Sequence, residues 1–157
     1  MLENLITDRT QADVDRAKQL NDTGAAAWTA ADKAEYMAHM KGAYNYSDIN
    51  RVEAACEYLY ARFCEIGGNG LNPTYKKNWT KIDFMSEDEA KRFLQNIRDL
   101  RAQFAVPEGA PEVPDDMQGF TFEEANDIER ILEIIDEYIT KTIACYFFSG
   151  ELYGGET

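Results

Sequence analysis

Between 121 and 148 the apolar positions Phe122, Ala125, Ile128, Leu132, Ile135, Ile139 and Ile143 recur at steps of three and four, on one face of a 3.6-residue helix. Ile131, Ile134 and Tyr138 widen that face. Asp127, Glu129, Arg130, Glu133, Asp136 and Glu137 fill much of the rest. Thr121 stands where a cap is needed, with Glu124 three residues on to close a capping box. No Pro or Gly interrupts the pattern before Gly150, so 28 residues at about 1.5 Å each make a helix of roughly 42 Å. In a chain of 157 residues, so long an element predicts that the others pack along it.

Four shorter helices are expected before it. Thr10 with Asp13 opens the first, which carries Val14, Ala17 and Leu20 and ends by Gly24. Thr29 with Asp32 opens the second, with Tyr36, Met37 and Met40 facing inward and Gly42 as its stop. Ser47 caps the third, which carries Ile49, Val52, Ala55, Cys56, Leu59, Phe63 and Ile66 up to Gly67-Gly68-Asn69-Gly70. Ser86 with Glu89 opens the fourth, and Phe93, Leu94, Ile97, Leu100 and Phe104 continue it to about Ala105.

Between these lie an irregular connection over 67–85, a Pro-rich, solvent-side linker over 106–118 and a short tail over 149–157. Residues 1–9 read as a leader that tucks against the core or docks on a partner. The expected fold is all-α: one domain over 1–157, a bundle of about five helices organised around the long C-terminal one.

An apolar share of 45% is enough for a sizeable core, and no run of about 18 apolar residues predicts a membrane span. The first residues lack the basic and apolar stretches of a signal peptide, so synthesis in the cytoplasm is the expectation. The net charge of −13 is uneven. Residues 102–157 hold thirteen acids and two bases, whereas 71–101 hold seven bases and five acids. Such an acidic chain repels phosphates, so no nucleic-acid partner is expected. The split also predicts that the basic fourth helix lies near the acidic last one.

Little in the chain reads as chemistry. Its single histidine, His39, follows Glu35 by four residues, which is not the Glu-x-x-His spacing of a di-iron bundle. Cys56, Cys64 and Cys145 give neither a closed disulfide framework nor a Cys-x-x-Cys zinc motif, and all three sit among apolar residues as expected of buried, inert thiols. No catalytic residue, cofactor or metal is expected. Asp13-to-Ala17, Asp48-to-Val52 and Asp127-to-Ile131 share the form Asp, apolar, polar, Arg, apolar. First-turn acids with an Arg one turn later account for this locally; the sharper reading puts these arginines against the Asp residues of a neighbouring helix in a buried network. Aromatic anchors are favoured at interfaces, so Tyr44, Tyr46, Trp79, Phe147, Phe148, Leu152 and Tyr153 form the candidate contact surface.

Several stretches carry a resemblance: Thr7-Asp8-Arg9-Thr10 with Asp13-Val14, Lys41-Gly42-Ala43-Tyr44-Asn45 with Asp48-Ile49-Asn50-Arg51-Val52, Asn78-Trp79-Thr80, the run from Glu124 to Leu132, and Phe148-Ser149-Gly150-Glu151-Leu152-Tyr153. Together they resemble tail-associated, minor structural proteins of phages and prophages of Gram-positive bacteria, a family of unassigned biochemical role. The resemblance implies a virion or assembly component whose partners are other phage structural proteins or further copies of itself. It brings no catalytic residues. The expected function is therefore a non-enzymatic structural or protein-interaction module. Two alternatives come from other classes: an acidic mimic of DNA that binds a basic host enzyme, and a cell-wall glycoside hydrolase using two carboxylates.

Overall fold

The computed structural model describes residues 2–153, with side chains through Cys145 apart from that of Glu3. It contains a short 3-10 turn (Leu2–Asn4) and five α-helices: α1 (Gln11–Thr23), α2 (Ala30–Met37), α3 (Tyr46–Glu65), α4 (Glu87–Arg101) and α5 (Phe122–Tyr153). No strand occurs among the described residues. The protein is an all-α helical bundle with a long last helix.

Three helices make the core. Val52, Ala55, Cys56, Leu59 and Phe63 of α3 meet Phe93, Leu94, Ile97 and Leu100 of α4 and Ile128, Ile131, Leu132, Ile135 and Ile139 of α5. The recurrence at three and four turns each stripe toward the other two. Helix α1 buries only Leu20 and α2 buries nothing, so this pair forms an arm beside the trio. Tyr36 and Met37, expected to face inward, stand in water. Helix α2 ends at Met37, with Ala38 as its cap and His39 in the left-handed region (φ 62), and this face of it is left uncovered.

Capping boxes start the helices as the spacing predicts, with Thr10 and Asp13 on α1, Thr29 and Asp32 on α2, Ser86 and Glu89 on α4, and Thr121 and Glu124 on α5. Helix α3 differs. Asn45, not Ser47, is its cap; its side chain accepts the Ser47 N–H at 2.9 Å, and Asp48 closes the box. Gly67 (φ 90) ends α3, where the Gly68 N–H reaches the Phe63 carbonyl at 2.9 Å in a Schellman arrangement. Gly42 stops no helix. A side chain there would strike the Asp13 main chain, so its role is to let the loop after α2 lie against the first turn of α1. Helix α4 ends at Arg101, short of Ala105, and α5 runs through Gly150 to Tyr153, past the expected start of the tail at 149.

The two irregular segments are fastened by polar side chains. Asn50 of α3 pairs with both main-chain groups of Trp79, each at 2.9 Å, and Asn96 of α4 donates to the Thr74 carbonyl at 2.8 Å. Arg92 joins the same carbonyl to the buried Glu53. The Pro-rich segment is not a free solvent-side linker. Arg101 donates to the Pro111 carbonyl and Arg98 to that of Pro114, while Val113, Met117 and Phe120 pack on the core.

Candidate functional site

Among the described residues, the largest convergence of charged side chains lies where the leader crosses α3 and α5. Arg9 is 4% exposed and Glu129 not at all. The Arg9 Nη2 donates to Glu129 Oε1 at 2.7 Å and to Asp48 Oδ1 at 3.0 Å, and its Nη1 donates to the Ile6 carbonyl at 2.6 Å. From α3, Arg51 donates to both oxygens of Glu129, at 3.0 and 2.8 Å, and reaches Asp48 as well. Two guanidinium groups thus face two carboxylates, and the set is neutral. The leader's main chain is read too. Ile6 N–H donates to Glu129 Oε2 at 2.7 Å, while Asn126 accepts the Arg9 N–H at 3.0 Å and donates to the Arg9 carbonyl at 2.9 Å. Burial works against the charge of Arg51, but its hydrogen bond to Glu129 and the charges of Glu129 and Asp48 outweigh this, raising its pKa above the usual arginine value.

Tyr44 closes the cluster, with the Arg9 guanidinium 5.5 Å from its ring centre and Phe120 edge-on at 5.0 Å. Burial, then the charges of Glu129 and Asp48, push its phenol far above the ordinary value, so it stays protonated. Its hydroxyl and the Arg9 Nε are buried without a partner. An open cleft of about 430 Å³ adjoins them, walled by Val14, Gly42, Phe120, Phe122 and the first turn of α5. Each carboxylate of the cluster is shared between arginines, and the arrangement works as a clamp on residues 6–9. Among the described residues, no group of three or more His, Cys, Asp or Glu side chains stands close enough together to hold a metal ion.

The expected contact residues do not gather in one place. Tyr44 belongs to the clamp. Tyr46 is half-buried, its ring 6.0 Å from that of His39. Trp79 offers no surface: at 3% exposure it lies against α3, held by Asn50, with the Lys76 ammonium 3.5 Å from its ring centre. An aromatic in a helix-free stretch looks exposed from sequence, but here polar side chains of α3 and α4 satisfy the main chain around it and allow it to be buried. Phe147, Phe148, Leu152 and Tyr153 have side chains outside the described residues. Among the described residues, the exposed large apolar groups are instead Tyr36, Met37, Ile82 and Phe84. For Ile82 and Phe84 the alternation across Asp83, between Lys81 and the capping Ser86, was the available signal.

Other expectations divide. Cys56 is buried, and burial raises its thiol pKa well above the usual value, whereas Cys64 and Cys145 are exposed. Helix α4 lies against α5, as the charge split predicts, but through apolar side chains; the basic residues of 71–101 form no ion pair with α5 among the described residues. They pair with Glu89, Glu57, Glu87, Glu53 and Glu112, while α5 takes its cations from Arg9, Arg51 and Arg62. Of the repeated arginines, Arg51 reaches Glu129 on another helix, Arg16 reaches Asp32 and Glu35 on α2, and Arg130 pairs locally with Glu133. None of the described helices is long and apolar enough to cross a membrane.

Comparison with family models, with curated proteins and with solved structures returned no match.

Proposed function

We propose that the protein is a non-enzymatic structural or protein-interaction module, a tail-associated virion or assembly component of a phage or prophage. The observation that carries this reading is the use made of its convergent charges. Arg9, Asp48, Arg51 and Glu129 neutralise one another and grip the main chain of residues 6–9, fastening the leader to the bundle. A second supporting feature is the placing of Ile82 and Phe84 on an exposed turn and of Tyr36 and Met37 on an exposed helix, where apolar side chains serve contact with another protein. Two of the acids that a DNA mimic would display are otherwise engaged: Glu129 is buried and Asp136 is held by Arg62.

The test is to induce particles from a Gram-positive host that carries the gene and to quantify the chain per purified particle by mass spectrometry. A fixed copy number in particles, or in tail intermediates that fail to mature without the gene, is the expected result. Absence from both, with normal particles in a deletion strain, would sink the reading.

A further inference from the structure

The Tyr44 hydroxyl and the Arg9 Nε are buried donors without a partner. Such groups are costly where they stand, because burial takes them from water and no hydrogen bond replaces it. Both Nη atoms of Arg9 are engaged, with Ile6, Asp48 and Glu129, so Nε is what its guanidinium has left to offer. Arg9 is 4% exposed, and Arg9 and Tyr44 both line the cleft of about 430 Å³. The unmet donors therefore border an open space.

The rest of the cleft adds donors and apolar surface. Phe122 and Glu123 line it and start α5, and the N–H groups of a helix's first residues have no intrahelical partner. The Thr121 hydroxyl serves the Glu124 N–H and not these two. They lie at the positive end of a helix of 32 residues, where an anion is favoured. The Tyr44 phenol, kept protonated by burial and then by the charges of Glu129 and Asp48, is a donor as well. Val14, Phe120 and Phe122 supply apolar walls.

We propose that this cleft binds a carboxylate carried on a small apolar body, drawn to the Tyr44 hydroxyl and Arg9 Nε on one side and to the first N–H groups of α5 on the other. The body lies among Val14, Phe120 and Phe122. Water reaches neither buried donor as the Tyr44 ring stands, so seating the carboxylate turns that one side chain toward the cleft. The carboxylate comes either from a free acid or from the C-terminus of a peptide. The proposal stands apart from the assembly reading. Glu123 is exposed beside the cleft and opposes an anion, so the test is made in about 0.15 M salt, where a Debye length of roughly 8 Å screens an exposed charge.

The experiment titrates isotope-labelled, full-length protein with isovalerate and with acetyl-glycyl-leucine, each beside its neutral amide, and follows nuclear magnetic resonance shifts. The main-chain signals of Phe122 and Glu123 and the ring signals of Tyr44 should move together, with a dissociation constant of about 1 mM for the better carboxylate. Each amide should bind about tenfold more weakly or worse, having lost the charge that strengthens its hydrogen bonds. Tyr44→Phe should weaken carboxylate binding about tenfold. It should melt no lower than the wild type, because the hydroxyl it removes has no partner. Tighter binding of isovalerate assigns the site to free acids, and tighter binding of acetyl-glycyl-leucine assigns it to peptide ends. No shift at about 10 mM of either carboxylate, amides that bind as well as the acids, or a Tyr44→Phe protein that binds unchanged would overturn the proposal. The comparison of acid with amide uses the wild type alone, so it decides the matter even if the variant melts early.

Discussion

Arg9 and Glu129, 120 residues apart in the chain, meet at 2.7 Å with both side chains sealed from water. Removing Arg9 leaves Asp48 and Glu129 to share Arg51, an uncompensated buried charge. Arg9→Ala should lower the unfolding free energy by about 3–5 kcal/mol. Arg16→Ala breaks pairs that are partly in water and should cost far less. Urea unfolding of the two variants checks the ranking, and equal losses would show that the buried cluster is not what fastens the leader.

The trio α3, α4 and α5 was legible because long stripes and capping boxes are local signals, read within a few residues of one another. The clamp was not. Arg9 lies in a leader with no period, and Glu129 looks like one more acid on the polar side of an amphipathic helix. Only the crossing of the leader over α5 turns that side inward. The same limit applies to Trp79, whose main chain is held by Asn50 of α3. Tyr36 and Met37 failed in the opposite sense, since helical spacing places residues on a face but does not say whether another element covers it.

Asn126 and Asn50 perform one task at two places, each matching its amide to the N–H and carbonyl of a single residue in an extended segment, Arg9 and Trp79 respectively. Losing such a partner strands main-chain groups at a cost of about 1–3 kcal/mol. The effects should be local. Asn126→Ala should open residues 2–9 to protease and leave 71–85 protected, and Asn50→Ala should do the reverse. Limited proteolysis read by mass spectrometry checks this, and a common cleavage pattern would mean that the two segments are not held independently.

Acid should loosen the protein through its exposed caps and pairs. Asp32 is held down to about 2, first by the Thr29 hydroxyl and then by Arg16. Glu89 is held down to about 2, first by the Lys76 ammonium and then by Ser86. Unfolded, such groups titrate at about 3.9 and 4.3. A depressed folded pKa adds stability that is complete above the unfolded value and disappears as pH falls toward the folded one. Unfolding midpoints should therefore be level above about pH 5 and fall between about 4.5 and 2. The double variant Asp32→Asn, Glu89→Gln should show a shallower acid limb, and an identical slope would assign the loss to other carboxylates.

The arm and the trio should also differ in how often they open. Amide protection follows the free energy of the smallest opening that exposes the bond. Helix α2 buries no side chain, is eight residues long and is held by its capping box and the grip of Arg16, so it can unwind without disturbing the core. Amides of Ile131, Leu132 and Ile135 lie between fully buried side chains of α5 and need the trio to separate. In dilute protein, hydrogen exchange should be complete in α2 long before it is measurable at those positions. Arg16→Ala should speed exchange in α2 further without changing it in α5. If α2 exchanged as slowly as α5 in a dilute monomer, the arm would have to be packed far more tightly than its exposed side chains allow.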